Sequence, residues 1–124
     1  MLISWNITKA CNLKCGHCYR DAGKPLKNEL TFEEGKKLLS DLKELNFRTV
    51  IFSGGEPLLR KDLCSLVAFA GQLGLVCVLG SNGTLISAES ARNLKAAGLK
   101  RAGISLDSVE AGLHDRFRGI SGAW

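Results

Sequence analysis

Three cysteines lie close together near the start of the chain, in the sequence CNLKCGHC, at positions 11, 15 and 18. Thiols at this spacing are compatible with three kinds of chemistry. A Cys-x-x-Cys pair can exchange disulfides, Cys and His together can bind zinc, and three thiolates can hold one corner of an iron–sulfur cluster. Which of these three chemistries applies depends on whether Cys11 acts together with Cys15 and Cys18, and on the residues that surround the loop.

Two of these interpretations lack an expected feature. A thioredoxin-like dithiol needs its motif to open a helix directly, whereas residues 19–29 contain a glycine and a proline and are typical of a loop. That interpretation also leaves Cys11 without a role. A structural zinc site needs a fourth ligand, for which His17 and His114 are candidates. A zinc-binding interaction module and a CGHC thiol–disulfide oxidoreductase remain alternative functions.

The overall composition is that of one globular domain of 124 residues, with 45% hydrophobic residues and a net charge of +5. No basic stripe is interleaved with aromatic residues, so we expect no nucleic-acid partner. The sequence also lacks a secretory signal and an apolar run long enough to span a membrane. We therefore expect a cytoplasmic protein with no membrane partner, whose five cysteines stay reduced.

Strand-like and helix-like segments alternate along the chain. Apolar runs predict four strands at 3–8, 49–53, 76–80 and 102–106, and their weak alternation predicts that the last three are covered on both faces. Helices are predicted after the caps Thr31, Asp62 and Ser87, with a fourth starting near Val109. This β-α alternation indicates an α/β fold with a parallel sheet and right-handed crossovers.

The carboxyl ends of the predicted strands carry the polar and flexible residues. Ligands of parallel sheets bind at this edge, so the segments that follow the strands are the candidate site. They are the cysteine loop at 9–30, Gly54-Gly55-Glu56-Pro57, Ser81-Asn82-Gly83 and Ser105-Leu106-Asp107.

The three segments after the second, third and fourth strands also have an ordinary interpretation as turns. Two glycines allow close backbone approach to a ligand, and Glu56 can accept a hydrogen bond from an ammonium group. The side chains of Ser81, Asn82 and Ser105 can hold a sugar or a carboxylate.

Taken together, the motifs resemble those of the radical S-adenosylmethionine (SAM) superfamily. Its Cys-x3-Cys-x-aromatic-Cys signature corresponds to CNLKCGHC, with His17 in the aromatic position. The GGEP, Thr-Asn-Gly and Ser-Leu-Asp motifs follow in order, with Ser81 in place of the threonine. The resemblance implies a partial TIM-like (β/α)6 barrel, of which this chain contains only the first four strands.

The resemblance also implies a site and a reaction. Cys11, Cys15 and Cys18 would bind three irons of a [4Fe–4S] cluster, and SAM would chelate the fourth. The contacts to SAM would come from His17, Gly54, Gly55, Glu56, Pro57, Ser81, Asn82 and Ser105. Reductive cleavage would release a 5′-deoxyadenosyl radical that abstracts hydrogen from a substrate. The electron would come from an external donor such as flavodoxin or ferredoxin.

Residues 114–119, HDRFRG, look like those of SPASM/twitch-type members, which include haem and haem d1 biosynthesis enzymes and peptide maturases. A tetrapyrrole or a peptide is therefore the implied substrate. Arg116 or Arg118 would meet an anionic group, while Asp115 is typical of a polar helix start. Cys64 and Cys77 are expected to be buried structural thiols.

We expect residues 1–124 to be a truncated radical SAM core domain. The chain is predicted to stop inside the fourth helix and to leave its fourth strand as an unprotected sheet edge.

Overall fold

The structure is a computed structural model that describes residues 1–124. Its elements are β1 (Leu2–Asn6), α1 (Phe32–Glu44), β2 (Thr49–Ser53), α2 (Leu63–Gln72), β3 (Val76–Ser81), α3 (Ala88–Ala96), β4 (Arg101–Ile104) and α4 (Ala111–Arg118). The four strands form one parallel sheet in the order β1-β2-β3-β4. The predicted α/β fold with a parallel sheet is confirmed. None of the helices combines the length and hydropathy required to cross a bilayer.

The hydrophobic core lies between one face of the sheet and the helices. Val50 and Phe52 of β2 alternate with residues that are only partly buried, and Cys77 and Leu79 do the same in β3. The helices contribute Leu39, Leu42, Leu66, Val67, Ala70 and Leu94. Within residues 1–124 the helices cover one face of β2 and β3, and most of the residues on the other face are partly buried, so the predicted cover on both faces is found on one face only.

The three predicted N-cap residues all stand at the starts of helices. Two of them form the expected side-chain cap and the third does not. Thr31 forms a capping box with Glu34, and Ser87 caps α3 through the Ser90 amide. Asp62 stands at the start of α2 but makes no side-chain cap. Its carboxylate pairs instead with Arg60, at 2.7 Å from Nε, because the guanidinium offers a charged donor two residues away.

The fourth helix ends before the end of the chain. Gly119 adopts a left-handed conformation, with φ of 70°, and closes α4 after Arg118. The Asp115 carboxylate then accepts hydrogen bonds from the amides of Gly122 and Trp124. The prediction that the chain stops inside this helix is wrong, because Gly119 ends the helix after Arg118. All residues of β4 are exposed, as expected for a sheet edge.

Candidate cofactor-binding site

A cavity of about 270 Å³ lies at the carboxyl edge of the sheet. All three loop cysteines line it, together with residues from the ends of β2, β3 and β4. The lining residues are Cys11, Leu13, Cys15, His17, Cys18, Tyr19, Arg20, Ala22, Ser53, Gly54, Gly55, Gly80, Ser81, Asn82, Ser105 and Arg118. The fold therefore brings together residues that lie up to 107 positions apart, from Cys11 to Arg118.

The three loop cysteines are free and only partly buried. The loop that carries them contains turns and no helix, unlike a thioredoxin-type dithiol. Partial burial raises the pKa of the Cys11 thiol. A hydrogen bond from the Ala22 amide, 3.5 Å from the sulfur, lowers the pKa of Cys18. The loop thus presents three thiols to one cavity in different electrostatic surroundings.

The two histidines do not complete a zinc site. His114 is buried, and its Nδ1 accepts a hydrogen bond from the Asp107 amide at 3.1 Å. His17 lies 3.8 Å from an Asp107 carboxylate oxygen and packs edge-on against Phe117. No group of three His, Cys, Asp or Glu side chains is placed to hold a single metal ion. The donor set at the cavity consists of thiols, the soft ligands that iron–sulfur clusters use.

The two glycines after β2 allow the loops that follow β1 and β2 to touch. A Cβ at Gly54 would lie 2.3 Å from the Thr8 carbonyl oxygen, and one at Gly55 would lie 2.2 Å from that of Ala10. The Gly55 amide donates to the Thr8 carbonyl at 2.8 Å, and the Glu56 amide donates to Ala10 at 2.7 Å. These glycines therefore position the segment that leads directly into Cys11.

Glu56 faces the protein interior and does not line the cavity. Its side chain is fully buried, and its carboxylate accepts hydrogen bonds from the Ser81 hydroxyl and the Asn82 amide, each at 2.9 Å. The Leu58 amide donates a third bond at 3.1 Å. Pro57 is also buried and starts a 3₁₀ turn. Of the GGEP motif, only Gly54 and Gly55 line the cavity, so the contact of Glu56 with SAM stays a prediction.

Asn82 connects the end of β3 to the cysteine loop. Its side-chain amide donates to Asn12 at 3.0 Å and lies 4.0 Å from the Cys11 sulfur. Asn12 in turn donates to the Thr84 hydroxyl at 2.8 Å, which closes a small network with Asn82. Sequence reasoning missed Asn12 and Thr84, because isolated polar residues carry no distinctive spacing.

Of the two arginines of α4, Arg118 reaches the cavity, whereas Arg116 is exposed. The Arg118 side chain is buried, and its Nη1 donates to the Cys15 sulfur at 3.8 Å. Its Nε lies 2.7 Å from a carboxylate oxygen of Asp107, in an ion pair without the alignment of a hydrogen bond. The helix that follows β4 thus places a positive charge beside one of the three thiols.

Glu29 joins the two ends of the cysteine loop. One of its carboxylate oxygens accepts hydrogen bonds from the Lys9 amide at 2.7 Å and the Leu26 amide at 2.9 Å. The Thr8 hydroxyl donates to the same oxygen at 3.1 Å. Sequence reasoning also missed Glu29, since its partners are up to 21 residues away and two of them are backbone groups.

The fold and the site define a parallel-sheet α/β protein whose ligand cavity joins three loop thiols to the carboxyl ends of the strands. The chain belongs to the radical SAM superfamily, whose family model matches residues 5–124. Members of this superfamily are enzymes that bind a [4Fe–4S] cluster and SAM. The family resemblance predicted from the motifs is confirmed.

Two curated relatives illustrate the similarity. The chain is 47% identical over 124 residues to Fe-coproporphyrin III synthase of Methanosarcina barkeri, and the match covers 99% of this chain and 31% of that protein. It is 44% identical to the AdoMet-dependent heme synthase of Oleidesulfovibrio alaskensis, with 99% and 32% covered. The chain spans about a third of the length of these curated relatives.

The fold has a clear counterpart among solved structures. The crystal structure of Streptococcus suis SuiB bound to S-adenosylmethionine matches with a TM-score of 0.82 at 22% identity. The match covers 97% of this chain and 28% of SuiB. The predicted fold, the first four strands of a TIM-like radical SAM barrel, is therefore confirmed.

Proposed function

We propose that the chain is part of a radical SAM core domain that binds a [4Fe–4S] cluster through Cys11, Cys15 and Cys18. The observation that carries this proposal is the shared cavity, since the three thiols and the strand ends line one space. Three cysteine ligands leave one iron of a four-iron cluster open to a small molecule. The soft thiol ligands and their position at the cavity wall are compatible with a [4Fe–4S] cluster.

SAM would occupy the rest of the cavity. Gly54 and Gly55 would let its amino-acid part approach the backbone, and the Asn82 and Ser105 side chains offer hydrogen bonds to its carboxylate or ribose. The Ser81 hydroxyl donates its proton to Glu56, so toward SAM it would act as an acceptor from the ribose. His17 lies on the wall formed by the cysteine loop, where a ring can stack against adenine. Glu56 and Pro57 would act from behind this surface, by holding the ends of β2 and β3 together.

When bound, the cluster and SAM supply reductive cleavage to a 5′-deoxyadenosyl radical, which takes a hydrogen atom from the substrate. The protein's own residues would position the three thiols and the polar groups at the strand ends around the cavity. The electron would come from an external donor such as flavodoxin or ferredoxin.

A tetrapyrrole is the substrate class that we propose for the intact enzyme. Support comes from the two relatives, whose names refer to an iron porphyrin and to haem, at 47% and 44% identity. The net charge of +5 is compatible with a substrate that carries several carboxylates. Because the chain spans only a third of these relatives, most of the substrate contacts would lie outside it.

Cluster binding is tested by anaerobic reconstitution of the intact enzyme with iron and sulfide. We expect at least four irons per chain and 5′-deoxyadenosine formation from SAM under reduction. Replacement of Cys11 separates the alternatives, because a CGHC oxidoreductase would still reduce insulin disulfides without it. A colourless protein with one zinc per chain would overturn the proposal.

The substrate class is tested separately, with Fe-coproporphyrin III as the probe. We expect its absorption spectrum to change on binding to the intact enzyme, because the name of the 47% identical relative makes this porphyrin that relative's product. Binding of a precursor peptide and not of the porphyrin would contradict the tetrapyrrole assignment while leaving the radical SAM assignment intact.

A further inference from the structure

The last turn of α4 contacts the cysteine loop on both sides of Cys15. The Lys14 amide donates to the Arg118 carbonyl at 3.2 Å, and the Gly16 amide donates to the Phe117 carbonyl at 3.1 Å. These two donors flank Cys15 in the chain, so the backbone of this cysteine is held from a helix more than 100 residues away.

The other two cysteines are not held by α4. The Cys11 amide donates to the Gly23 carbonyl, and the Cys18 amide donates to the Cys15 carbonyl, so both bonds stay within the loop. Cys15 is therefore the thiol whose position depends most directly on α4.

Gly119 makes this contact possible. It has φ of +70°, and a Cβ at this position would lie 2.3 Å from the Lys14 carbonyl oxygen. Any side chain would therefore add a steric clash with the cysteine loop to the strain of the left-handed conformation. Glycine at 119 lets the end of α4 pack directly against the residue before Cys15.

The Arg118 side chain reaches the sulfur of the same cysteine. Its guanidinium is held by the Asp107 carboxylate at the end of β4 and donates to the Cys15 sulfur at 3.8 Å. Backbone and side-chain contacts thus converge on one thiol.

We infer that Arg118 and Gly119 form a positioning element for Cys15, which fixes the backbone of this ligand and tunes its sulfur. This inference rests on the proposed function. A hydrogen bond and a positive charge beside a cluster thiolate favour the reduced state of the cluster, which carries the more negative charge. The element would therefore raise the reduction potential of the cluster.

The backbone part of the inference is tested on the cluster-free intact protein. Gly119→Ala is compared with Gly122→Ala, which has a similar left-handed φ of +80° but nothing within 4 Å of the added Cβ. We expect alkylation of Cys15, relative to Cys18, to rise about fivefold in Gly119→Ala, the change that loss of one typical hydrogen bond produces. It should not change in Gly122→Ala. Equal ratios in both variants would overturn the inference.

The side-chain part is tested by Arg118→Met and Arg118→Lys in the reconstituted enzyme without SAM. We expect a more negative midpoint potential in Arg118→Met, with partial recovery in Arg118→Lys, because lysine restores the charge. The Cys15 alkylation ratio of cluster-free Arg118→Met gives a second measurement if Gly119→Ala does not fold. An unchanged potential together with weaker SAM binding would show that Arg118 serves the cofactor and not Cys15.

Failure of this inference can be distinguished from failure of the proposed function. If the wild-type enzyme binds no cluster, the proposed function is wrong, and no positioning role toward a cluster survives. If it binds the cluster and the variants show unchanged potentials and alkylation ratios, only the positioning role is wrong.

Discussion

The buried carboxylate of Glu56 accepts a hydrogen bond from the Ser81 hydroxyl at 2.9 Å and thereby joins the loop after β2 to the end of β3. The same carboxylate accepts a bond from the Asn82 amide. The GGEP and Ser-Asn-Gly motifs, which are separate in the sequence, are thus joined in the structure. These hydrogen bonds hold two walls of the cavity together.

Replacement of Glu56 by alanine should destabilise the fold. It leaves the Ser81 hydroxyl and the Asn82 amide without an acceptor, and we expect a loss of about 2–4 kcal/mol in the free energy of unfolding, measured with urea. Ser81→Ala removes one donor to the carboxylate and the acceptor of the part-buried Gly83 amide, but it leaves the Glu56 carboxylate with two other donors, so its loss should be smaller, about 1 kcal/mol. A Glu56→Ala variant as stable as Ser81→Ala would contradict the role of the Glu56 carboxylate as the shared acceptor.

Gly55→Ala should impair the cysteine loop through the steric clash with Ala10. The added Cβ would lie 2.2 Å from the Ala10 carbonyl oxygen, next to Cys11 in the chain. We expect a lower melting temperature and a lower iron content after reconstitution. Gly71→Ala is the matched control, because its Cβ meets nothing closer than 3.9 Å and alanine favours the helix. An equal iron content in the two variants would argue against the clash.

The order of the cysteine loop should depend on pH through Glu29. Burial acts to raise the pKa of this carboxyl, but hydrogen bonds from the Lys9 and Leu26 amides and the Thr8 hydroxyl together hold it below its usual value of 4.5. Because the folded pKa is lowered, the stabilisation is complete above about pH 4.5 and is lost as the pH falls through the lowered pKa. We expect the hydrogen-exchange protection of the Lys9 and Leu26 amides to fall over this range.

Glu29→Gln should remove most of this pH dependence. The matched control is Glu34→Gln, because hydrogen bonds from Thr31 also lower the pKa of Glu34, but its bonds cap α1 and do not touch the loop. Protection at Lys9 that follows pH in the same way in Glu29→Gln and the wild type would show that another group closes the loop.

The five cysteines should divide into two functional groups. Alanine at 11, 15 or 18 is expected to abolish binding of the iron–sulfur cluster, measured as iron and sulfide per chain. Cys77→Ala should leave the iron content unchanged and affect only stability, because Cys77 is fully buried in the core and burial raises its pKa to about 11. Loss of iron in Cys77→Ala without loss of fold would contradict this division.

The prediction that Cys64 and Cys77 are both buried structural thiols was only partly correct. Cys77 is buried as expected, whereas Cys64 is partly exposed and packs against the edge of the core. Helix periodicity indicates which face of α2 points inward. It does not determine how far the neighbouring helices extend over the margin of that face.

Much of the candidate site was predictable because its residue types follow strand ends in a fixed order. The cysteines, Gly54, Gly55, Ser81, Asn82 and Ser105 all line one cavity, as the rule for parallel sheets predicts. Glu29 and Asn12 were not predictable, since their partners are backbone groups or isolated polar side chains far away in the chain. Backbone amides occur at nearly every residue and therefore carry no sequence pattern.

The sequence by itself determined the alternation of strands and helices, the cysteine spacing and the membership in a family, because these depend on local periodicity and on motifs read along the chain. The tertiary structure decided that Arg118 and Gly119 meet Cys15 and that Glu56 turns away from the cavity. Such contacts depend on how closely two backbones approach, which follows from the register and packing of distant elements. No property of the individual residues specifies that distance before the chain has folded.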